Sequence, residues 1–356
     1  MEKDILFSII VPVYNTEKYV IKCLDSIKNA IKEDCEVIIV NDGSTDNSEK
    51  IIKEYIEKLP DQYKDRFIYN VKPNKGLADT KNVGISLARG KYISVIDSDD
   101  YISDDFYDIA RRYINEGNEI IIYDLYVIFE KNPEYTYVAR ACVDKEKDIK
   151  RALISGAMQG SSCNKIIKKS LYEPYKFPTN KEYEDTSVTP FILLDTEKIK
   201  YIPYPLYYYL QREKSIVASN TYISAFYKIC ENISNELAKR GDLKKYHEVI
   251  DEFFVRRMLE IMYEDYKKSR KDFKANMLNF FKNNKQVVNY ILENEMDYKD
   301  NQYSVRQKTV LNNLLVNCKN EDLSKITKLF FARRLVAYVR RLFGQSINLV
   351  KAVFGK

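Results

Sequence analysis

The residues best suited to chemistry stand in four short polar runs: Tyr14-Asn15, Asn41-Asp42-Gly43-Ser44, Asn74-Lys75-Gly76 and Asp97-Ser98-Asp99-Asp100. Each follows an apolar run, so each is expected at the end of a strand. Taken singly, such runs are ordinary turn chemistry, because Asn, Asp, Ser and Gly satisfy tight backbone turns. Taken together they would gather several carboxylates in one crevice. Carboxylates held close repel and desolvate one another, an arrangement that a divalent cation relieves. A cation with open coordination positions then attracts phosphate. Neither G-x-x-x-x-G-K-[ST] nor a G-x-G-x-x-G after the first strand occurs, so a diphosphate would be held by metal and side chains rather than by a glycine-rich cradle. The single histidine, His247, is far in sequence from all of these runs, which disfavours a histidine base. Asp46 and Asp104 read as first-turn acids that complement a helix dipole.

Positioning these runs falls to an alternation of strands and helices. Phe7 to Val13, Glu36 to Val40, Phe67 to Val71 and Tyr92 to Ile96 are continuous runs rich in Ile and Val, the pattern of strands buried on both faces. Val20, Cys23, Leu24, Ile27 and Ile31 recur at helical spacing behind Thr16 as a cap. Ile51, Ile52, Tyr55, Ile56 and Leu59 do so behind Ser44 to Asp46. A β-α-β-α-β order implies right-handed crossovers and a parallel sheet, whose carboxyl ends lie along one edge, where open α/β sheets bind ligands.

Composition narrows the classes. A chain of 356 residues with 45% hydrophobic and 31% charged residues supports one large or two modest packed domains and excludes disorder as the main state. The net charge is +6, yet Lys325 to Lys356 holds eight basic residues and no acid, which leaves the remainder at −2. A nucleic-acid partner for the body is therefore not expected, and any anionic surface is expected to meet the tail. The six cysteines form no C-x-x-C pair, which argues against a disulfide framework or zinc site and for a reducing interior. No uncharged stretch approaches the roughly 20 residues of a membrane span, and no apolar leader opens the chain. A cytoplasmic protein is expected, peripheral at most on the inner face of the membrane.

Ser8-Ile9-Ile10-Val11-Pro12-Val13-Tyr14-Asn15, Val40-Asn41-Asp42-Gly43-Ser44-Thr45-Asp46, Asn74-Lys75-Gly76 with Lys81-Asn82-Val83-Gly84, and Asp97-Ser98-Asp99-Asp100 together resemble family 2 glycosyltransferases of the GT-A fold. The resemblance implies a Rossmann-like, mostly parallel sheet flanked by helices, a nucleotide-diphosphate-sugar donor that is most often a uridine one, and Mg²⁺ or Mn²⁺ at the diphosphate. It also implies roles. Pro12, Tyr14 and Asn15 would shape the base and ribose pocket, and Asp42 would accept the uracil N–H, a task that suits an acceptor-only carboxylate. Asp97 would contact ribose or sugar with Ser98 beside it, Asp99 would reach the metal, and Asp100 would cap or orient. Lys81 would neutralise phosphate or contact the nucleotide; its bland reading is a solvated helix lysine.

Weaker echoes continue to Ser215. Lys181-Glu182-Tyr183-Glu184-Asp185-Thr186 resembles the family's acidic acceptor-side motif, which makes Asp185 the candidate base of an inverting reaction; the alternative is that Asp185 or Thr186 merely caps the helix suggested by Val188, Phe191, Ile192 and Leu194. Tyr207 to Ser215 resembles a segment whose arginine reaches the donor phosphates, which selects Arg212. It departs from the Q-x-x-R-W of processive synthases, so single addition is favoured over polymerisation. Cys163, in Ser162-Cys163-Asn164-Lys165, stands where many relatives carry an aromatic residue, and it leaves acceptor contacts open.

Residues 1–215 are thus expected to form the catalytic domain, with a nucleotide-sugar half over 1–100 and an acceptor half over 101–215. Residues 216–324 follow as a helical extension that packs on that domain or self-associates into a homo-oligomer. Residues 325–356 form a basic amphipathic helix in which Arg333 and Arg340, and Arg334 and Arg341, share a face, suited to an anionic membrane or to a docking partner. The expected reaction is inverting, metal-dependent transfer of a hexosyl or N-acetylhexosaminyl group from a UDP-sugar to a glycan or lipid-linked acceptor in surface polysaccharide synthesis. Its rivals are a catalytically silent nucleotide-sugar-binding scaffold of the same fold, and a nucleotidyltransferase, which would carry a Gly-rich basic loop where Tyr14-Asn15-Thr16-Glu17 stands.

Overall fold

The computed structural model describes residues 4–141, 160–179, 183–212 and 222–246, together with Ala275, Asn276, Asn279 and Asn283. The chain divides into two compact units, Met1–Leu153 with Ala157–Ser215, and Ile154–Gly156 with Ile216–Lys356. The first unit is a mixed sheet covered by helices on both faces. Its strands are β1 (Phe7–Val13), β2 (Cys35–Asn41), β3 (Phe67–Val71), β4 (Tyr92–Val95), β5 (Tyr101–Ile102), β6 (Ile120–Phe129), β7 (Tyr137–Ala139), β8 (Lys165–Lys168) and β9 (Ile199–Gln211). Their order is β3-β2-β1-β4-β8-β6-β9-β5, with β7 on β6. The predicted parallel arrangement holds for β1 to β4. Beyond β4 the sheet turns mixed, because β8 runs antiparallel to both β4 and β6, while β9 returns parallel to β6.

Continuous Ile and Val runs become interior strands because every residue of β1 and β2 is buried. On one face lie α1 (Val20–Ala30), α2 (Ser48–Glu57) and α5 (Phe106–Asn115), contributing Leu24, Ile27, Ile52, Phe106 and Ala110 to a core with Ile9, Val11, Val37 and Ile39. A short α3 (Asp61–Lys64) leads into β3. The other face carries α4 (Leu77–Leu87) and α6 (Thr189–Leu194), whose Ala78, Ile192 and Leu193 meet Ile10, Ile38 and Ile93. The α4 contact is close: a Cβ on Gly84 would come within 2.3 Å of Ile10 Cγ2. Glycine there lets α4 settle on β1 and fixes where Lys81 emerges.

The ladders explain why a crevice opens. β1 pairs with β2 as far as Val13 and Asn41, but with β4 only as far as Ile10 and Val95. Pro12, buried in β1, lies past the end of the β4 ladder, where its missing N–H leaves no gap in that pairing. The strand order also reverses between β1 and β4, so their carboxyl ends diverge at the switch point of the sheet.

The expected cap at Thr16 is corrected. Its carbonyl receives Tyr19 and Val20 N–H, but its hydroxyl donates to Ser98 Oγ at 3.0 Å, tying the β1 loop to the acidic run after β4. Asp46 does serve the start of α2, accepting Ser48 N–H at 2.9 Å. In the second unit, Ile223 to Ile233 fall in α7 (Tyr222–Arg240), which buries Ile233 and Leu237. The stripe predicted from Phe253 to Tyr266 and the basic helix predicted over 325–356 lie outside the described residues.

Candidate active site

The first three loops of the edge are held together by their own polar side chains. Asn15 adopts φ +52°, a left-handed conformation that Asn tolerates better than most residues. Its Oδ1 accepts Thr45 N–H at 2.8 Å, and its own N–H donates to Ser44 Oγ at 3.1 Å. Asp42 is buried and accepts the N–H groups of Lys75 at 2.9 Å and Gly76 at 2.8 Å, with the Lys72 ammonium on the same carboxylate. Gly76 sits at φ +88°, the turn that aims its N–H at Asp42. Lys72 is shared with Asp79 at 2.7 Å. Three donors leave about one of the four lone-pair positions of Asp42 for a ligand N–H. Tyr14 stands beside these loops, 48% exposed.

The acidic run after β4 separates into different jobs. Asp100 is buried, accepting the Tyr207 hydroxyl at 2.7 Å and Leu210 N–H at 2.7 Å. The same phenol accepts the backbone N–H of Asp97 at 3.1 Å. Burial, with Asp99 and Asp97 alongside, pushes the Asp100 carboxyl well up. Asp100 and Tyr207 therefore fasten the run to β9 and bring Arg212 to Asp99, with which it forms an ion pair. The Arg212 guanidinium also lies 5.0 Å from the centre of the Tyr19 ring. The sequence motifs do not mark Tyr207 as a site residue; its signal is its place as the first of three consecutive tyrosines ahead of Gln211-Arg212. Ser98, expected at the sugar nucleotide, is buried and receives the Thr16 hydroxyl.

Asp97 differs from its neighbours. No hydrogen bond or ion pair reaches its carboxylate among the described residues. Burial pushes it up to about 7 against the pull of Lys81, with Asp99, Asp185 and Glu184 adding to the rise. An under-coordinated acid of this kind, two positions from Asp99, makes with it a donor set that suits a hard divalent cation. Among the described residues no three His, Cys, Asp or Glu side chains form a ready metal cage, so such an ion would draw its remaining oxygens from phosphate and water.

Lys81 and Asp185 meet. Lys81 is 2% exposed, and its ammonium lies 2.7 Å from Asp185 Oδ1 and 2.9 Å from Glu184 Oε1, so the solvated-lysine reading is corrected. The other oxygen of Asp185 accepts Ser162 N–H at 3.0 Å and the Ser162 hydroxyl at 3.2 Å. The capping alternative for this segment is corrected as well: α6 starts after Val188 with no side-chain cap, and the Thr186 hydroxyl donates to Tyr183 C=O at 2.6 Å. Close by, Lys165 is buried, donating to Ser161 C=O at 2.7 Å and Asn164 Oδ1 at 2.6 Å, and burial pulls it down to about 8.

Comparison with known proteins bears on this arrangement. Residues 8–175 match the family described as glycosyl transferase family 2. The Bacillus subtilis protein named "Putative glycosyltransferase EpsH" is 30% identical over 272 residues, 74% of this chain and 78% of its own. "Minor teichoic acid biosynthesis protein GgaB" of the same species is 31% identical, over 60% of this chain and 24% of its own. S. aureus TarS 1-349, solved in complex with UDP-GlcNAc, superposes with a TM-score of 0.69 at 21% identity, over 93% of this chain and 92% of that one. With an edge of acids at the switch point of an α/β sheet and these likenesses in sequence and fold, the chain belongs to glycosyl transferase family 2, is a glycosyltransferase and has the GT-A fold.

Proposed function

We propose that this enzyme transfers a sugar, with inversion and with the help of a divalent metal, from a UDP-sugar to a glycan or lipid-linked acceptor in cell-surface polysaccharide synthesis. The observation that carries the reading is the pairing of two unlike acidic groups across one crevice: Asp97 and Asp99 on the β4 loop, and Asp185 held by Lys81 and Ser162. The resemblance assigns Asp99 to the metal and Asp97 to ribose or sugar; the partnerless carboxylate of Asp97 supports moving it to the metal as well, so that Asp97 and Asp99 would hold Mg²⁺ or Mn²⁺ at the diphosphate. That ion, when bound, would offset the charge gathering on the leaving diphosphate. Asp185 would take the proton of the acceptor hydroxyl as its oxygen bonds to the anomeric carbon, while the bond to the phosphate oxygen breaks and its electron pair leaves with UDP. Tyr14, Asn15 and Asp42 would frame the nucleoside, and Arg212 would meet the phosphates.

The uridine donor is supported by the TarS complex and the surface-glycan acceptor by the teichoic acid relative, both through likeness. Residues 216–324 are assigned to packing or self-association. No helix among the described residues is long and apolar enough to cross a membrane, and the basic residues of 325–356 suit contact with an anionic leaflet. The deciding experiment is release of nucleotide diphosphate from a panel of UDP- and GDP-sugars, with Mn²⁺ and with chelator. Release from a UDP-sugar that stops with chelator is expected; release indifferent to metal, or from none of the panel, overturns the proposal.

A further inference from the structure

Lys81 carries an inference that departs from the role its motif implies. It stands on α4, in the nucleotide half, yet its ammonium donates to Asp185 and Glu184 of the acceptor half, and it lies 5.2 Å from the centre of the Phe177 ring. Burial alone would pull it down; Asp185, Glu184 and Asp97 more than offset this and hold it up, so it stays an ammonium. To reach a phosphate it would have to leave two carboxylates behind, which strands buried charges without their partner. On the opposite side, the backbone and hydroxyl of Ser162 fix the second oxygen of Asp185. The carboxylate therefore has three protein donors and about one lone-pair position left to receive a proton.

We propose that Lys81 is a positioning residue for the acceptor-side base: with Ser162 it holds the Asp185 carboxylate in the one orientation that meets an acceptor hydroxyl, and it does not contact the donor phosphates. This rests on Asp185 being the base of the reaction proposed above. α4 begins directly after Gly76, whose N–H meets Asp42, so the same lysine ties the acceptor-side acid to a helix that starts at the nucleotide-half loops.

The two roles separate in one set of measurements on the full chain: UDP affinity by calorimetry with Mn²⁺, and kcat and KM for UDP release from the UDP-sugar that the native enzyme hydrolyses. Lys81→Met is expected to lower kcat about 100-fold, the scale of a misplaced general base, while KM and UDP affinity stay within about threefold. Lys81→Arg, which keeps the charge, should recover about tenfold of that loss, and Ser162→Ala, which keeps the backbone donor, should lower kcat about fivefold with UDP affinity unchanged. A Lys81→Met enzyme that binds UDP tenfold or more weaker, or turns over like the native one, overturns the inference. Should Lys81→Met not fold, native kcat in both Lys81→Arg and Ser162→Ala does so. A native chain that neither binds UDP nor releases it sinks the parent reading instead.

Discussion

The two halves of the first unit treat their acids differently. Along β1 to β4, the acids that shape loops are met mainly by backbone N–H groups and a hydroxyl, as with Asp42 under Lys75 and Gly76, where the Lys72 ammonium joins them, and Asp100 under Tyr207 and Leu210. Asp97 in the same half has no such partner among the described residues. In the acceptor half Asp185 is neutralised by a lysine buried with it. An acid whose carboxylate is taken up by fixed donors, as Asp100 is, fastens a loop; one left without partners, as Asp97 is among the described residues, suits a cation; and one held between a buried ammonium and a serine, as Asp185 is, has its orientation fixed. Residue type does not distinguish these cases; the number and kind of donors does.

The sharpest test of that contrast sets Asp185→Asn beside Asp97→Asn. The first should cost about 10²–10⁴-fold in kcat with UDP affinity retained. The second should weaken UDP binding in Mn²⁺ about tenfold or more, the effect of about 1.4 kcal/mol of lost attraction. Calorimetry and UDP release on both variants would expose a false division if either change moved both quantities alike.

A smaller effect separates structural acids from ligand-ready ones. Tyr207→Phe removes the donor to Asp100 and the acceptor for Asp97 N–H, and urea denaturation should show about 1–3 kcal/mol of lost stability. Asp97→Asn should show no loss, since no bond to its carboxylate is broken. If the two variants melt alike, the sorting of the β4 loop is wrong.

The smallest expected signal is a pH dependence in the acceptor half. Lys165 is pulled down by burial from 10.5 to about 8, so between those values the unfolded chain binds more protons than the folded one. Stability contributed by this group therefore rises with pH from about 8 toward 10.5. Denaturation of native and Lys165→Met protein at pH 8 and pH 10 should give a difference that grows in favour of the native chain; a difference independent of pH would remove the assignment.

Much of this was legible in the sequence. Runs such as Phe7 to Val13 and Glu36 to Val40 can only be interior strands once helices separate them, and the polar runs after them must then share an edge. That placed Tyr14, Asn15, Asp42, Asp97 and Asp99 together. The mixed second half was less visible, because β8 and β9 pair with strands distant in the chain and carry no turn signal that reports direction.

What the sequence determined by itself was the order of strands, helices and acidic loops, since period and turn chemistry are local properties. The tertiary structure decided which acid does what. Lys81 and Asp185 lie 104 residues apart, Tyr207 and Asp100 lie 107 apart, and neither spacing predicts a contact. Close packing of α4 on β1 at Gly84 and the return of β9 past the β4 loop bring those partners together, and burial makes their electrostatic coupling strong enough to sort otherwise identical carboxylates.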